Sequence, residues 1–131
     1  MTVQAFFAVF IGAGAGAVLR WWLGLALNPL FPTLPMGTLA ANLSGGYLMG
    51  LVLGYLSQYE ALPAEVRLLI TTGFLGGLTT FSTFSGEVVT LIARQQLGWA
   101  SAAIGLHLLG ALACTGLGIF TIQWFKSAGL P

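Results

Sequence analysis

The sequence predicts an all-α integral membrane protein with four transmembrane helices, forming a single domain over residues 1–131. Of its 131 residues, 57% are hydrophobic and 5% are charged, whereas soluble domains are typically about 45–50% apolar and about 25% charged. The apolar residues fall into four stretches of about 20 residues or more, the length at which a helix crosses about 30 Å of hydrocarbon. A soluble fold cannot bury so much apolar surface, so lipid is the expected solvent.

Turn-forming sequence separates the four stretches, which we predict to form helices at residues 4–27, 37–57, 68–94 and 99–124. The first linker, NPLFPTLP, contains three prolines and cannot continue a helix. The second, QYEALPAE, contains two of the three acidic residues and a further proline, and the third, RQQLG, is a short polar turn. The first stretch lacks the basic start of a signal peptide and is longer than a cleavable core, so we expect it to be retained.

Small residues recur at intervals of four in the second stretch and therefore share one helix face. This row consists of Thr38, Asn42, Gly46, Gly50 and Gly54. Helices in lipid associate through close van der Waals packing of small residues, so we predict that Asn42 faces protein. Cys114, in the fourth stretch, has no second cysteine to pair with and is interpreted as a packing residue.

The third stretch contains the run TTGFLGGLTTFSTFSGE, which places paired glycines and a cluster of hydroxyls in the middle of a span. Gly76 and Gly77 are poor helix formers, and we predict a break between Gly76 and Thr79. The carbonyls released there must pair with protein groups or with a cation. On a two-fold axis, the carbonyls of two chains would form an oxygen cage for a hard cation such as sodium. The alternative is an unbroken helix whose glycines only allow close packing.

The same run combines aromatic rings with hydroxyls and has almost no charge. Phe81 and Phe84 lie on one helix face, and Glu87 is the only ionised group before Arg94. A cation pathway would lack the usual ring of acidic side chains, and a tight anion-binding site would lack a basic side chain. Hydroxyls, the Asn42 amide and the electropositive ring edges can replace the water around a small anion without trapping it. Anion conduction and structural packing both remain open on these grounds.

The basic residues divide evenly between the two sides of the membrane. Arg67 and Lys126 lie on the side of the termini, and Arg20 and Arg94 lie on the other side. Orientation normally follows an excess of basic residues in cytoplasmic loops, so we predict insertion in both orientations and an antiparallel homodimer with its axis in the membrane plane. The alternative is a single orientation set by another signal.

Several function classes are disfavoured. A basic face for nucleic acid is missing. A four-helix drug exporter of the small multidrug type needs a membrane carboxylate in its first helix, whereas this first span holds Arg20 and no acid. A purely structural subunit would not explain the convergence of hydroxyls, glycines and phenylalanines in one span. The single histidine, His107, has no evident nucleophile or metal partner, so an enzyme is not expected.

Three segments resemble the Fluc family of fluoride channels. They are GFLGGLTTFSTFS at residues 73–85, GTLAANLSGG at residues 37–46 and GAGAGAVLRW at residues 12–21. Length, helix number and motif order agree over nearly the whole chain. The resemblance implies a multi-pass protein of a bacterial plasma membrane (the inner membrane in a Gram-negative cell) that passively exports fluoride. It also implies a double-pored homodimer with a structural sodium ion that is not transported, so the expected partners are a second copy, fluoride and lipid.

The resemblance also assigns residues. It implies that the backbone carbonyls of Gly76 and Thr79 bind the sodium ion. The fluoride pathway is expected to include Asn42, Phe81, Phe84, Ser82, Thr83, Thr38 and His107.

Several of these residues keep alternative interpretations. The Thr83 hydroxyl can instead bond its own helix. The fourth helix is less typical of the family, and His107 can satisfy a carbonyl on a neighbouring helix, which is the interpretation we favour from sequence. Arg20 can attract anions or anchor the helix end. We assign Glu87 no role in conduction.

Overall fold

The computed structural model describes residues 1–59 and 62–130, so Glu60 and Ala61 of the second predicted linker, and the terminal Pro131, lie outside the described residues. Within that part of the chain the regular structure is helical. Four stretches are long and apolar enough to cross a membrane, namely Val3–Leu30, Met36–Gln58, Ala64–Ala93 and Leu97–Ser127. The predicted all-α fold with four membrane-length helices is confirmed.

The first linker folds as its prolines require. Helix α1 (Val3–Leu27) passes into the short 3-10 turn Asn28–Leu30, which has proline in its first turn, and helix α2 (Met36–Gln58) begins directly after Pro35. The Asn28 side chain holds the two helices together, because its Oδ1 accepts hydrogen bonds from Gly37 N at 2.8 Å and Thr38 N at 3.2 Å. These are among the N–H groups that a helix start leaves without partners.

The third span is broken, as the sequence predicts. It begins at Ala64 rather than at residue 68, continues as a π-helix over Leu69–Leu75 and ends at Leu78. We call residues 64–78 helix α3. Thr79 (φ −82°, ψ 153°) and Thr80 (φ −147°, ψ 114°) have extended backbones. Helix α4 (Phe81–Ala93) completes the span, and helix α5 (Leu97–Ser127) follows. The break therefore lies at the end of the predicted interval and extends one residue beyond it.

Helices pack in pairs along small-residue faces, α1 against α3 and α2 against α5. A Cβ added to Gly16 in α1 would meet the carbonyl oxygen of Phe74 in α3. A Cβ added to Gly118 in α5 would meet the carbonyl oxygen of Tyr47 in α2 and lie 2.7 Å from the backbone nitrogen of Leu51. Backbones this close leave no room for a side chain, and such contact is the main source of helix association in lipid. The predicted row of small residues in α2 also lies between helices, because Gly46, Gly50 and Gly54 face α5.

We expect Gly118→Ala to destabilise the protein by about 1–3 kcal/mol, the usual cost of forcing extra atoms into a packed interior. The matched control is Gly116→Ala in the same helix, where an added Cβ meets nothing within 4 Å. That control should be neutral or gain up to about 1 kcal/mol from the better helix propensity of alanine. Thermal unfolding of the detergent-solubilised variants measures both, and equal unfolding temperatures for the two would contradict this packing.

Candidate functional site

The break in the third span is held by one side chain from α2. Asn42 Oδ1 accepts the Thr80 N–H at 2.7 Å, and Asn42 Nδ2 donates to the Thr80 carbonyl at 3.0 Å. The amide therefore pairs both backbone groups of Thr80, as a neighbouring β-strand would. Backbone groups at membrane depth have no water to bind and must be paired within the protein. The prediction that Asn42 faces protein agrees with this arrangement.

The same hydrogen bonds release two carbonyls of the broken helix. In a continuous α-helix, Gly76 O would accept the N–H of Thr80 and Thr79 O would accept the N–H of Thr83. The Thr80 N–H instead binds Asn42, and the Thr83 N–H binds the Thr80 hydroxyl at 3.1 Å, where Thr80 caps the start of α4. Both N–H groups are therefore bound to side-chain oxygens, and the carbonyls of Gly76 and Thr79 are left without their helical donors.

A third carbonyl at the break has a charged partner. Arg20 of α1 donates from Nε to the carbonyl of Gly77 at 3.0 Å. In a continuous helix this carbonyl would accept the N–H of Phe81. The half-buried guanidinium therefore replaces a lost backbone donor, a role that the sequence alone does not indicate.

The break opens into a cavity of about 400 Å³. The predicted site residues that line it are Gly76, Thr79, Asn42, Phe81, Phe84 and His107. The rings of Phe81 and Phe84 are 5.5 Å apart between centroids and meet edge to face at 67°. Phe84 is buried and also packs on the imidazole of His107, with centroids 4.5 Å apart. Phe81 is 72% exposed and projects from the chain.

His107 is almost fully buried, with 3% of its surface exposed. Its Nδ1 lies 3.0 Å from Asn42 Nδ2. Its other ring nitrogen, Nε2, is buried and has no hydrogen-bond partner among the residues that the structure describes. The hydrogen bond of Nδ1 is therefore to a side-chain amide, and the interpretation favoured from sequence, a carbonyl of a neighbouring helix, is wrong for this nitrogen.

Thr38 and Thr83 belong to a second cavity of about 300 Å³, which Arg20 and Thr80 also line. The Thr38 hydroxyl donates to Glu87 Oε1 at 2.6 Å, which joins the start of α2 to α4. The two cavities share Thr80, so both reach the break. The predicted pathway residues are thus divided between two cavities that meet at Thr80.

The remaining hydroxyls cluster around Thr80. Thr80 donates to Thr83 Oγ1 at 3.0 Å, and the hydroxyls of Thr80 and Ser82 are 3.3 Å apart. Ser82 and Thr83 are exposed on the surface of the isolated chain. Thr80 is absent from the sequence-predicted site, although a threonine before an apolar helical run is a recognised helix-start signal that would have indicated it.

Acidic residues, histidine and cysteine do not gather into a metal-binding cluster within residues 1–59 and 62–130. The oxygens available at the break are neutral carbonyls and hydroxyls. Such ligands suit hard cations and do not suit soft or strongly polarising metals.

The chain matches one protein family and is similar to proteins that share one name. The family described as CrcB-like protein, Camphor Resistance (CrcB), matches residues 7–119. A protein of Nitrosospira multiformis is 57% identical over 95% of this chain and 97% of its own length, and one of Pseudomonas paraeruginosa is 54% identical over 92% and 95%. A relative from Tolumonas auensis is 56% identical over 88% of this chain and 91% of its own length. All three are named fluoride-specific ion channel FluC.

Proposed function

The chain belongs to the CrcB-like family, and we propose that it is a fluoride-selective channel, not an enzyme, that lets fluoride leave the cytoplasm passively. The observation that carries the proposal is the cavity at the helix break. Phenylalanine edges, an amide and a buried imidazole line it, and the lining contains no lysine, arginine or carboxylate among the described residues. Ring edges and a neutral imidazole are weak donors, which bind a small anion without trapping it. The names of the relatives agree with this chemistry.

Passive export is sufficient for such a channel. Hydrogen fluoride crosses membranes as a neutral molecule and dissociates in the more neutral cytoplasm, where the anion is trapped. A negative interior then favours outward movement of the anion, because one elementary charge gains about 2.3 kcal/mol per 100 mV. No nucleotide and no reacting side chain is needed. In a bacterium, the protein would act in the plasma membrane, which is the inner membrane of a Gram-negative cell.

A second copy of the chain would complete the pore. Gly76 and the hydroxyls of Ser82 and Thr83 are exposed in the middle of a span, and polar groups at that depth are expensive to leave against lipid. Phe81 projects from the same region. An antiparallel partner would cover these groups, and its Phe81 would reach the cavity of the first chain. The two-fold axis would create two equivalent pores.

The carbonyls of Gly76 and Thr79 fit the sodium ion that the family resemblance implies. Each has lost its helical donor, and both residues line the cavity. Two carbonyls from each of two antiparallel chains would supply four neutral oxygens, a donor set that suits a hard monovalent cation. The ion's positive charge would stabilise carbonyls that otherwise lack donors in lipid. It would be a structural component, because its ligands belong to the backbone that forms the break.

We expect liposomes containing the wild-type protein to release fluoride rapidly and chloride slowly. Phe81→Ile and Phe84→Ile remove the ring edges and should lower fluoride efflux by about tenfold, which corresponds to about 1.4 kcal/mol in the barrier. A fluoride electrode measures the efflux. Phe10→Ile, which removes a ring that is 66% exposed on α1, is the control and should be unchanged. Absence of fluoride efflux from well-folded wild-type protein would refute the proposal.

Dual topology predicts that each side of the chain faces outward in about half of the copies. In a Cys114→Ser background, which leaves no other cysteine, Thr33→Cys and Ser127→Cys place single thiols at opposite membrane surfaces. We expect a membrane-impermeant maleimide applied to intact cells to label about half of each variant. Full labelling of one variant with none of the other would establish a single orientation, and fluoride efflux from each variant checks that it is native.

Sodium should stabilise the protein in a saturable manner. A ligand that binds only the folded state contributes about 2.7 kcal/mol at a hundred times its Kd. We therefore expect the thermal unfolding temperature to rise with sodium and to remain lower in N-methylglucamine at equal ionic strength. Identical unfolding temperatures in the two salts would argue against a bound cation while leaving the fluoride proposal intact.

A further inference from the structure

The Asn42 amide uses all of its hydrogens within the chain. A side-chain amide has two N–H donors and one carbonyl acceptor. One N–H binds the Thr80 carbonyl at 3.0 Å, and the other is directed to His107 Nδ1, also at 3.0 Å. The Thr80 backbone fixes which end of the amide is which, because its N–H can only donate and therefore meets Oδ1. No amide hydrogen is then left to bind an anion.

This polarity determines where the proton of His107 resides. Asn42 Nδ2 can only donate, so His107 Nδ1 must accept, and a neutral imidazole then carries its proton on Nε2. Nε2 is the atom that is buried without a partner in the described part of the chain. The ring packs on Phe84 and lines the cavity. An unpaired buried donor is unfavourable, so this arrangement calls for an acceptor beside Nε2, and a small anion meets that need.

We propose that Asn42 is a positioning residue rather than a fluoride ligand, and that it keeps His107 in the Nε2–H tautomer so that this N–H is the donor to fluoride. The inference rests on the proposed function and deepens it by assigning separate tasks to the two side chains. Asn42 holds the break open through Thr80 and orients the imidazole through the same amide. The backbone of the third span thereby controls a donor on α5.

Nitrogen-15 NMR tests the proposal directly, because the chain contains one histidine and two asparagines, Asn28 and Asn42. The protein is labelled at histidine and at the asparagine amides, placed in lipid nanodiscs and studied at an alkaline pH at which imidazole is neutral. Without fluoride, we expect an unprotonated Nδ1 and a protonated Nε2. Addition of sodium fluoride should shift the Nε2 signal and leave both hydrogen bonds of the Asn42 amide in place.

Two results would overturn the proposal. One is an Nδ1–H tautomer in the wild-type protein. The other is a fluoride-dependent loss of the Asn42 amide hydrogen bonds with no change at Nε2, which would make Asn42 the ligand. Sodium chloride at equal concentration is the reference for effects of ionic strength.

A pair of asparagine variants separates positioning from general damage. Asn42→Ala should give a mixture of tautomers, faster amide exchange at Thr80 and a fluoride efflux that is lowered at least in proportion to the copies without the Nε2–H donor. Asn28→Ala removes an asparagine that caps α2 outside the larger cavity and should retain a single tautomer. A single Nε2–H tautomer in folded Asn42→Ala would refute the positioning role.

His107→Phe completes the experiment. It should lower fluoride efflux as Asn42→Ala does, yet leave the Thr80 amide protected from exchange. Undiminished efflux from this variant would show that Nε2 is not the donor. The tautomer of the wild-type protein is measured without fluoride and without flux, so it stands even if the protein proves not to conduct fluoride. Failure of this inference and failure of the proposed function are therefore distinguishable.

Discussion

The obligation to pair every backbone N–H and C=O within the hydrocarbon shapes the centre of this molecule. A helix meets that obligation by itself, and three of the four spans do so. The third span is interrupted at Thr79 and Thr80, and side chains from two other helices pair several of the backbone groups that lose their helical partners. Asn42 binds Thr80, and Arg20 binds the carbonyl of Gly77. The break is thus supported by one side chain from α1 and one from α2.

Close packing provides that contact. The glycine faces bring α1 against α3 and α2 against α5 at backbone distance, and Gly45 of α2 lies against the side chain of Thr79. These contacts fix the depth of Asn42 relative to His107 and to the break. An apolar cluster joins the ends of α2, α4 and α5, with Leu39, Phe84 and Ala103 among its members. Since Phe84 belongs both to this cluster and to the cavity lining, the wall of the proposed pathway is part of the packed interior.

The sequence predicted the features that depend on local pattern. Length and apolarity specified four spans, and Gly76 and Gly77 indicated a weak point in the third. The exact position of the break was not predictable, because it depends on Thr80 pairing with Asn42, 38 positions earlier in the chain. The partner of His107 was missed for the same reason, since periodicity places a residue on a face and does not say which side chain it meets. Arg20 was visible as a charge, but its carbonyl partner became visible only in the fold.

Interrupting the third span also has an electrostatic consequence. Peptide dipoles leave a helix with a partial positive charge at its N-terminus and a partial negative charge at its C-terminus. Here the C-terminus of α3 and the N-terminus of α4 lie on either side of Thr79 and Thr80 in mid-span. One short interruption therefore presents a negative pole and a positive pole side by side in the middle of a span. The dipoles of the two helix ends can in this way favour a cation and an anion at neighbouring points, in addition to the charge that Arg20 brings to the Gly77 carbonyl.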